Sequence, residues 1–136
     1  MANLLRLEIV TPEAKSYSED VEMVTLPAIE GELGVYPAHV PLMTQIKAGE
    51  VAVRKDGQDY FLAVGEGFVE ITGDRVAVLT DMAIKADDID EMKAEEARKR
   101  AEARLQEKLS DEETALVSAA LMRSMAQLHV KRRQRR

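Results

Sequence analysis

The chain has 136 residues, 46% of them hydrophobic and 32% charged, with 4% aromatics and no tryptophan, so it builds one modest core from aliphatic side chains and alanine. The absence of cysteine excludes disulfides, thiolate nucleophiles and cysteine-based metal sites. A formal charge of −6 conceals an asymmetry, with 7 Lys/Arg against 14 Asp/Glu in residues 1–86, 6 against 11 in 87–113, and 6 against none in 114–136.

Met1-Ala2-Asn3-Leu4-Leu5-Arg6-Leu7-Glu8 lacks the apolar core of a signal peptide, and no apolar run approaches the roughly 18 residues that a membrane span needs. The expectation is a soluble protein without direct membrane insertion. From Leu5 to Thr80 the hydrophobic period is two. Leu5, Leu7 and Ile9 alternate with Arg6 and Glu8, which predicts a half-buried strand ending at Thr11-Pro12. Val21, Met23 and Thr25 continue that alternation, and the Gly/Pro-rich stretch 27–41 reads as turns with little regular pairing. Val51–Arg54 and Tyr60–Val64 flank Lys55-Asp56-Gly57-Gln58, where Asp-Gly supplies the positive φ of a tight hairpin. Phe68–Ile71 and Val76–Leu79 form a second hairpin across Gly73-Asp74.

Beyond Lys85 the composition turns to Ala, Glu, Lys and Arg, which places a domain boundary at residue 86. Asp87 or Asp88 is expected to cap a first helix, with Ile89, Met92, Ala97, Ala101, Leu105 and Leu109 as its apolar stripe. Ser110-Asp111-Glu112-Glu113 is a capping box that starts a second helix, with Val117, Leu121, Met125 and Leu128 along one side. The fold class is therefore α+β, with an N-terminal flattened antiparallel β-sandwich (1–86) followed by a C-terminal two-helix antiparallel hairpin with a basic tail (87–136). The contact faces of the hairpin are mostly alanine, whose burial gains little at roughly 25 cal/mol per Å², so the arm is expected to dock weakly.

His39 and His129 are far apart, with no His or Cys at ligand spacing beside either, so no metal site is expected. Gly65-Glu66-Gly67 lacks the third glycine of a dinucleotide fingerprint, and Asp87, Asp88 and Asp90 lack the glycine and distal glutamate of a calcium loop. No catalytic nucleophile and base stand out, which disfavours an enzyme. Lys131-Arg132-Arg133-Gln134-Arg135-Arg136 is strongly basic, and docking on an acidic protein face or simple solvation outweighs nucleic acid, because no aromatic residue past Phe68 offers a stacking platform. A nucleic-acid adaptor using that tail stays open as the alternative from another class.

Glu30-Gly31-Glu32-Leu33-Gly34-Val35-Tyr36-Pro37-Ala38-His39-Val40-Pro41-Leu42 resembles the hallmark loop of the epsilon subunits of bacterial-type F-type ATP synthases. Leu7–Pro12, Leu62–Phe68 and Val76–Asp81 resemble the same family in the same order. Ala38 stands at a usual Gly and Val40 at a usual Ala. The resemblance implies a ten-stranded sandwich and a non-catalytic rotor role on the cytoplasmic face of the membrane, joining the gamma subunit to the c-ring, with Glu32 and His39 as ring contacts. It further implies that the hairpin extends into the head of alpha and beta subunits and inhibits hydrolysis through its basic second helix, here Arg123, Lys131, Arg132 and Arg133. No cofactor is required. Some members hold regulatory ATP on the folded hairpin, and the matching positions are Ile89, Asp90, Lys93, Ala94, Arg100 and Arg123, with Lys93 where the family motif has Arg and Gln127 where another Arg would be expected.

Overall fold

The computed structural model describes residues 3–13 and 15–134, apart from the side chains of Lys15 and Ser16. Ten strands run as β1 (Leu5–Val10), β2 (Lys15–Val21), β3 (Met23–Ala28), β4 (Gly31–Val35), β5 (His39–Ile46), β6 (Gly49–Lys55), β7 (Gln58–Val64), β8 (Gly67–Gly73), β9 (Arg75–Thr80) and β10 (Ala83–Lys85). A 3-10 turn at Ala86–Asp88 leads into α1 (Glu91–Leu105) and α2 (Asp111–Gln134). The ladder order is β10-β7-β6-β3-β5-β8-β9-β1-β2, with β4 on β3.

The ladder narrows to a single bridge between β3 and β5, Ala28 opposite Ile46, and there the sheet folds into two layers. The amides of Ile29 and Lys47 close that corner by donating to Gln45 O and Pro27 O. Alternation then puts Leu5, Leu7 and Ile9 of β1, Val51 and Val53 of β6, and Val76 and Val78 of β9 into one core. The pairs are antiparallel except β1 with β9, which run parallel from Arg6–Arg75 to Val10–Leu79.

Three local expectations are corrected. The stretch 27–41 is paired: β3 and β4 form a hairpin from Val24–Val35 to Ala28–Gly31, with Gly31 at φ 130. Its glycines and prolines disguise a strand because β4 pairs only with β3 and is largely exposed, so it needs no apolar alternation. The phase of the second strand also differs. The chain bends at Glu22, so Val21 closes β2 on the core while Val24 and Leu26, rather than Met23 and Thr25, face inward from β3. The helix cap is Asp90, whose Oδ1 accepts from the Lys93 amide at 3.1 Å, because the 3-10 turn uses up Asp87 and Asp88 first.

Two turns follow their sequence signals. Asp56 and Gly57 have φ 53 and 73 at the β6–β7 hairpin, as its two-residue turn requires. In the capping box, the Glu113 amide donates to Ser110 Oγ at 3.1 Å and the Ser110 amide to Glu113 Oε1 at 3.2 Å.

Candidate functional site: the docked arm and the exposed sandwich faces

The first helix buries Ala94 and Ala101, while Met92, expected on its apolar stripe, is 75% exposed. The second helix buries Ser124, Ala126, Leu128 and Val130, so Leu128 is the one residue of its expected stripe that is fully enclosed, and Met125 is exposed. A small second core forms where Ala126 and Val130 meet Ala63, Ala86 and Ile89, with Phe61, Met82 and Ile84 at its margin. Strand β7 is thus covered on both faces at its end, which is why Phe61–Val64 carries no polar residue. Each buried alanine offers a single methyl, worth under about 1 kcal/mol of transfer energy, so polar contacts have a large share in placing the arm.

Those contacts follow one side of α2. Arg123 Nη1 donates to Asp81 Oδ2 at 3.1 Å, Gln127 Nε2 to Met82 Sδ at 3.1 Å and Lys131 Nζ to Ala86 O at 3.1 Å, and Gln134 reaches Asp87. Arg133 Nε lies 3.5 Å and His129 Nε2 lies 3.7 Å from Glu50 Oε2, an oxygen buried under the helix without a hydrogen-bond partner. The guanidinium of Arg133 also stacks 4.8 Å from the Phe61 ring. Arg132 turns to α1 and pairs with Glu91 and Glu95, both at 3.2 Å. Every basic residue of the expected inhibitory set within the described residues, Arg123, Lys131, Arg132 and Arg133, is therefore engaged inside the chain. Arg135 and Arg136 lie outside the described residues.

The six positions matched to a nucleotide site differ in exposure and in partners. Ile89 is buried under the arm, Asp90 caps α1, Ala94 is buried, Lys93 and Arg100 are exposed on α1, and Arg123 is held by Asp81. Clefts of about 530, 400 and 300 Å³ include none of the six. The first lies between the sandwich and the end of α2, where burial, followed by Glu19, pushes the Tyr17 phenol up from its ordinary 10.0. Among the described residues no three His, Cys, Asp or Glu side chains are grouped to hold a metal ion, and no helix is long and apolar enough to cross a membrane.

Glu32 is exposed on β4 opposite Pro27. His39 opens β5, pairs with Gly73 and places its Nδ1 2.6 Å from Val40 O. Among the described residues the two make no hydrogen bond to each other, and they lie on different strands, β4 and β5, yet the segment from Ile29 to Met43 exposes Ile29, Tyr36, Val40, Leu42 and Met43. A second apolar strip lies on the outer face where Phe68 pairs with Leu79, both more than half exposed, with Gln45 and Val10 next in register on either side.

The model for the ATP synthase Delta/Epsilon chain beta-sandwich domain matches residues 4–86, and that for its long alpha-helix domain matches residues 87–132. The chain belongs to the ATP synthase epsilon chain family. Within the family it is 44% identical to the ATP synthase epsilon chain of Laribacter hongkongensis over 126 residues, covering 91% of this chain and 90% of that one. It is 43% identical to the epsilon chain of Dehalococcoides mccartyi over 133 residues, covering 97% and 95%. Its fold matches a chain in the Euglena gracilis mitochondrial ATP synthase, OSCP/F1/c-ring in rotational state 1, with TM-score 0.75, 21% identity, and coverage of 91% and 79%. The two matched family domains meet between residues 86 and 87, where the 3-10 turn begins to lead the chain out of the sandwich.

Proposed function

We propose that this epsilon chain is a non-catalytic rotor subunit of the central stalk, peripheral to the cytoplasmic face of the membrane, joining gamma to the c-ring so that proton translocation drives ATP synthesis. The exposed apolar strip around Phe68 and Leu79 supports a broad protein contact on the sandwich, suited to gamma. The largely exposed segment from Ile29 to Met43, which carries Glu32 and His39, supports a second contact, suited to the polar loops of the ring. In this reading the helical hairpin is an arm that restrains hydrolysis when it leaves the sandwich and enters the head of alpha and beta subunits.

One observation carries the arm: Arg123, Arg132 and Arg133 of α2 are paired with acids of the same chain, beside a core rich in alanine. Acidic faces elsewhere in a complex would replace those pairs at little net electrostatic cost, so two arrangements of similar energy are available to the same helices. Truncation after Leu109 in the assembled enzyme should raise ATP hydrolysis while leaving the sandwich bound. Equal hydrolysis with and without the hairpin would remove the inhibitory role.

A regulatory ATP on the folded arm belongs to the same proposal, supported by Lys93 and Arg100, which have no ion-pair partner among the described residues. Asp81 already holds Arg123, so phosphate would have to compete with a carboxylate. Weak binding follows.

A further inference from the structure

Gly65 sits at the end of β7, buried, and its φ lies outside the left-handed region, so no backbone torsion calls for glycine there. Space calls for it. A Cβ on Gly65 would lie 1.7 Å from Asp81 Oδ1 and 2.9 Å from Asp81 Cγ, which means that the carboxylate lies directly over bare backbone. The same carboxylate accepts from Arg123 Nη1 at 3.1 Å, and the stem of Arg123 passes 3.5 Å from that Cβ position. Backbone bonds fix the floor of the arrangement, since the Gly65 amide donates to Met82 O and the Asp81 amide to Glu66 O.

We propose that Gly65, Asp81 and Arg123 form a latch that holds the arm on the sandwich, with Gly65 as the positioning residue that lets the carboxylate lie low enough to face α2. The inference rests on the reading of the hairpin as a movable arm and names the contact that sets its docked population. A methyl at position 65 meets the far end of a short side chain, not backbone. Asp81 would rotate away at small cost to the sandwich and lose Arg123. Gln127, one turn further along α2, bonds Met82 next to Asp81, so release at Arg123 starts at the edge of the polar contacts.

The chain has no cysteine, so Met43→Cys and Leu116→Cys, both at exposed positions, allow a dye pair to report the sandwich-to-arm distance in the isolated full-length protein. Asp81→Asn and Arg123→Gln should each raise the undocked fraction about two- to fivefold, the range for a partly exposed ion pair. Gly65→Ala should match them. In an Asp81→Ala background Gly65→Ala should add nothing, because the clash is gone, whereas damage to the sandwich would persist there. An arm that stays docked in Asp81→Asn and Arg123→Gln overturns the latch. Opening in those two but not in Gly65→Ala overturns the role of the glycine. Opening in all three with unchanged hydrolysis by the assembled enzyme supports the latch and overturns the inhibitory role of the arm instead.

Discussion

Arg132 on α2 spans the helical hairpin to Glu95 on α1, its Nη2 3.2 Å from the carboxylate Oε2. Glu95 is shared with Arg98 one turn along α1, and hydrogen bonding from Arg98 first, with Coulomb attraction from both arginines, holds its carboxyl below the ordinary 4.5. Glu113 is lowered as well, by its bonds to Ser110.

A depressed carboxylate favours the folded form above its unfolded value, and that contribution is lost as pH falls through the lower folded value. The hairpin is therefore expected to hold its packing at neutral pH and to loosen as pH drops below about 4.5. Both groups are solvent-accessible, so the change should be modest and screened by salt. Nuclear magnetic resonance of the α1–α2 contacts through an acid titration would follow it, and Glu95→Gln should flatten the response. A hairpin unaffected down to pH 2.5 in low salt would contradict the role given to these carboxylates.

Ala38 adopts φ 63, and its amide donates to Asp74 Oδ1 at 2.8 Å. A left-handed conformation costs an alanine about 1–2 kcal/mol, part of which a glycine returns through its freer unfolded chain. Ala38→Gly should stabilise the sandwich by about 0.5–1 kcal/mol, seen as a higher urea midpoint with an unchanged slope. Ala38→Val should lower it, because a β-branched side chain suits that conformation least. The usual glycine of the family at this position has a torsional reason here.

The parts of the fold legible in sequence are those with a short-range cause. Asp56-Gly57 marks a hairpin because two positive φ angles must be accommodated, and Ser110 with Glu113 marks a helix start because each satisfies the other's amide. Strand β4 was hidden because its pairing with β3 is made by backbone, on a strand exposed along most of its length. The docking side of α2 was hidden for a different reason. Val117, Leu121 and Leu128 draw the eye by size, yet the sandwich receives Ala126 and Val130, and small residues carry almost no periodic signal. Asp81 and Arg123 lie 42 positions apart, so no local pattern could have joined them. Of the candidate rotor contacts, Glu32 and His39 came from the family loop, whereas the Phe68–Leu79 pairing follows only from the register of β8 and β9.

Nucleotide affinity offers a sharper test of the occupied arginine. If ATP binds the folded arm, Asp81→Asn frees the Arg123 guanidinium and should strengthen binding several-fold in calorimetry, even as it weakens the latch. Lys93→Arg should add to it by restoring the planar fork at the motif position. Absence of heat at millimolar ATP in the parent chain and in both variants would remove the nucleotide from the account.

Glu32 stands on a strand whose outer edge has no partner among the described residues, in a segment that also exposes Ile29 and Tyr36. Because the side chain is exposed and makes no described hydrogen bond or ion pair, its replacement should leave the fold intact, within about 0.5 kcal/mol. Glu32→Lys should nevertheless weaken association of the sandwich with the ring, since a charge contact with polar loops would turn from attraction to repulsion, and Glu32→Gln should show a smaller loss of the same kind. High salt should narrow the gap between the three proteins, as screening acts on the charge and not on the apolar neighbours. Equal binding of all three at low salt would place the ring contact elsewhere on the exposed segment, with Tyr36 and Val40 the next side chains to replace.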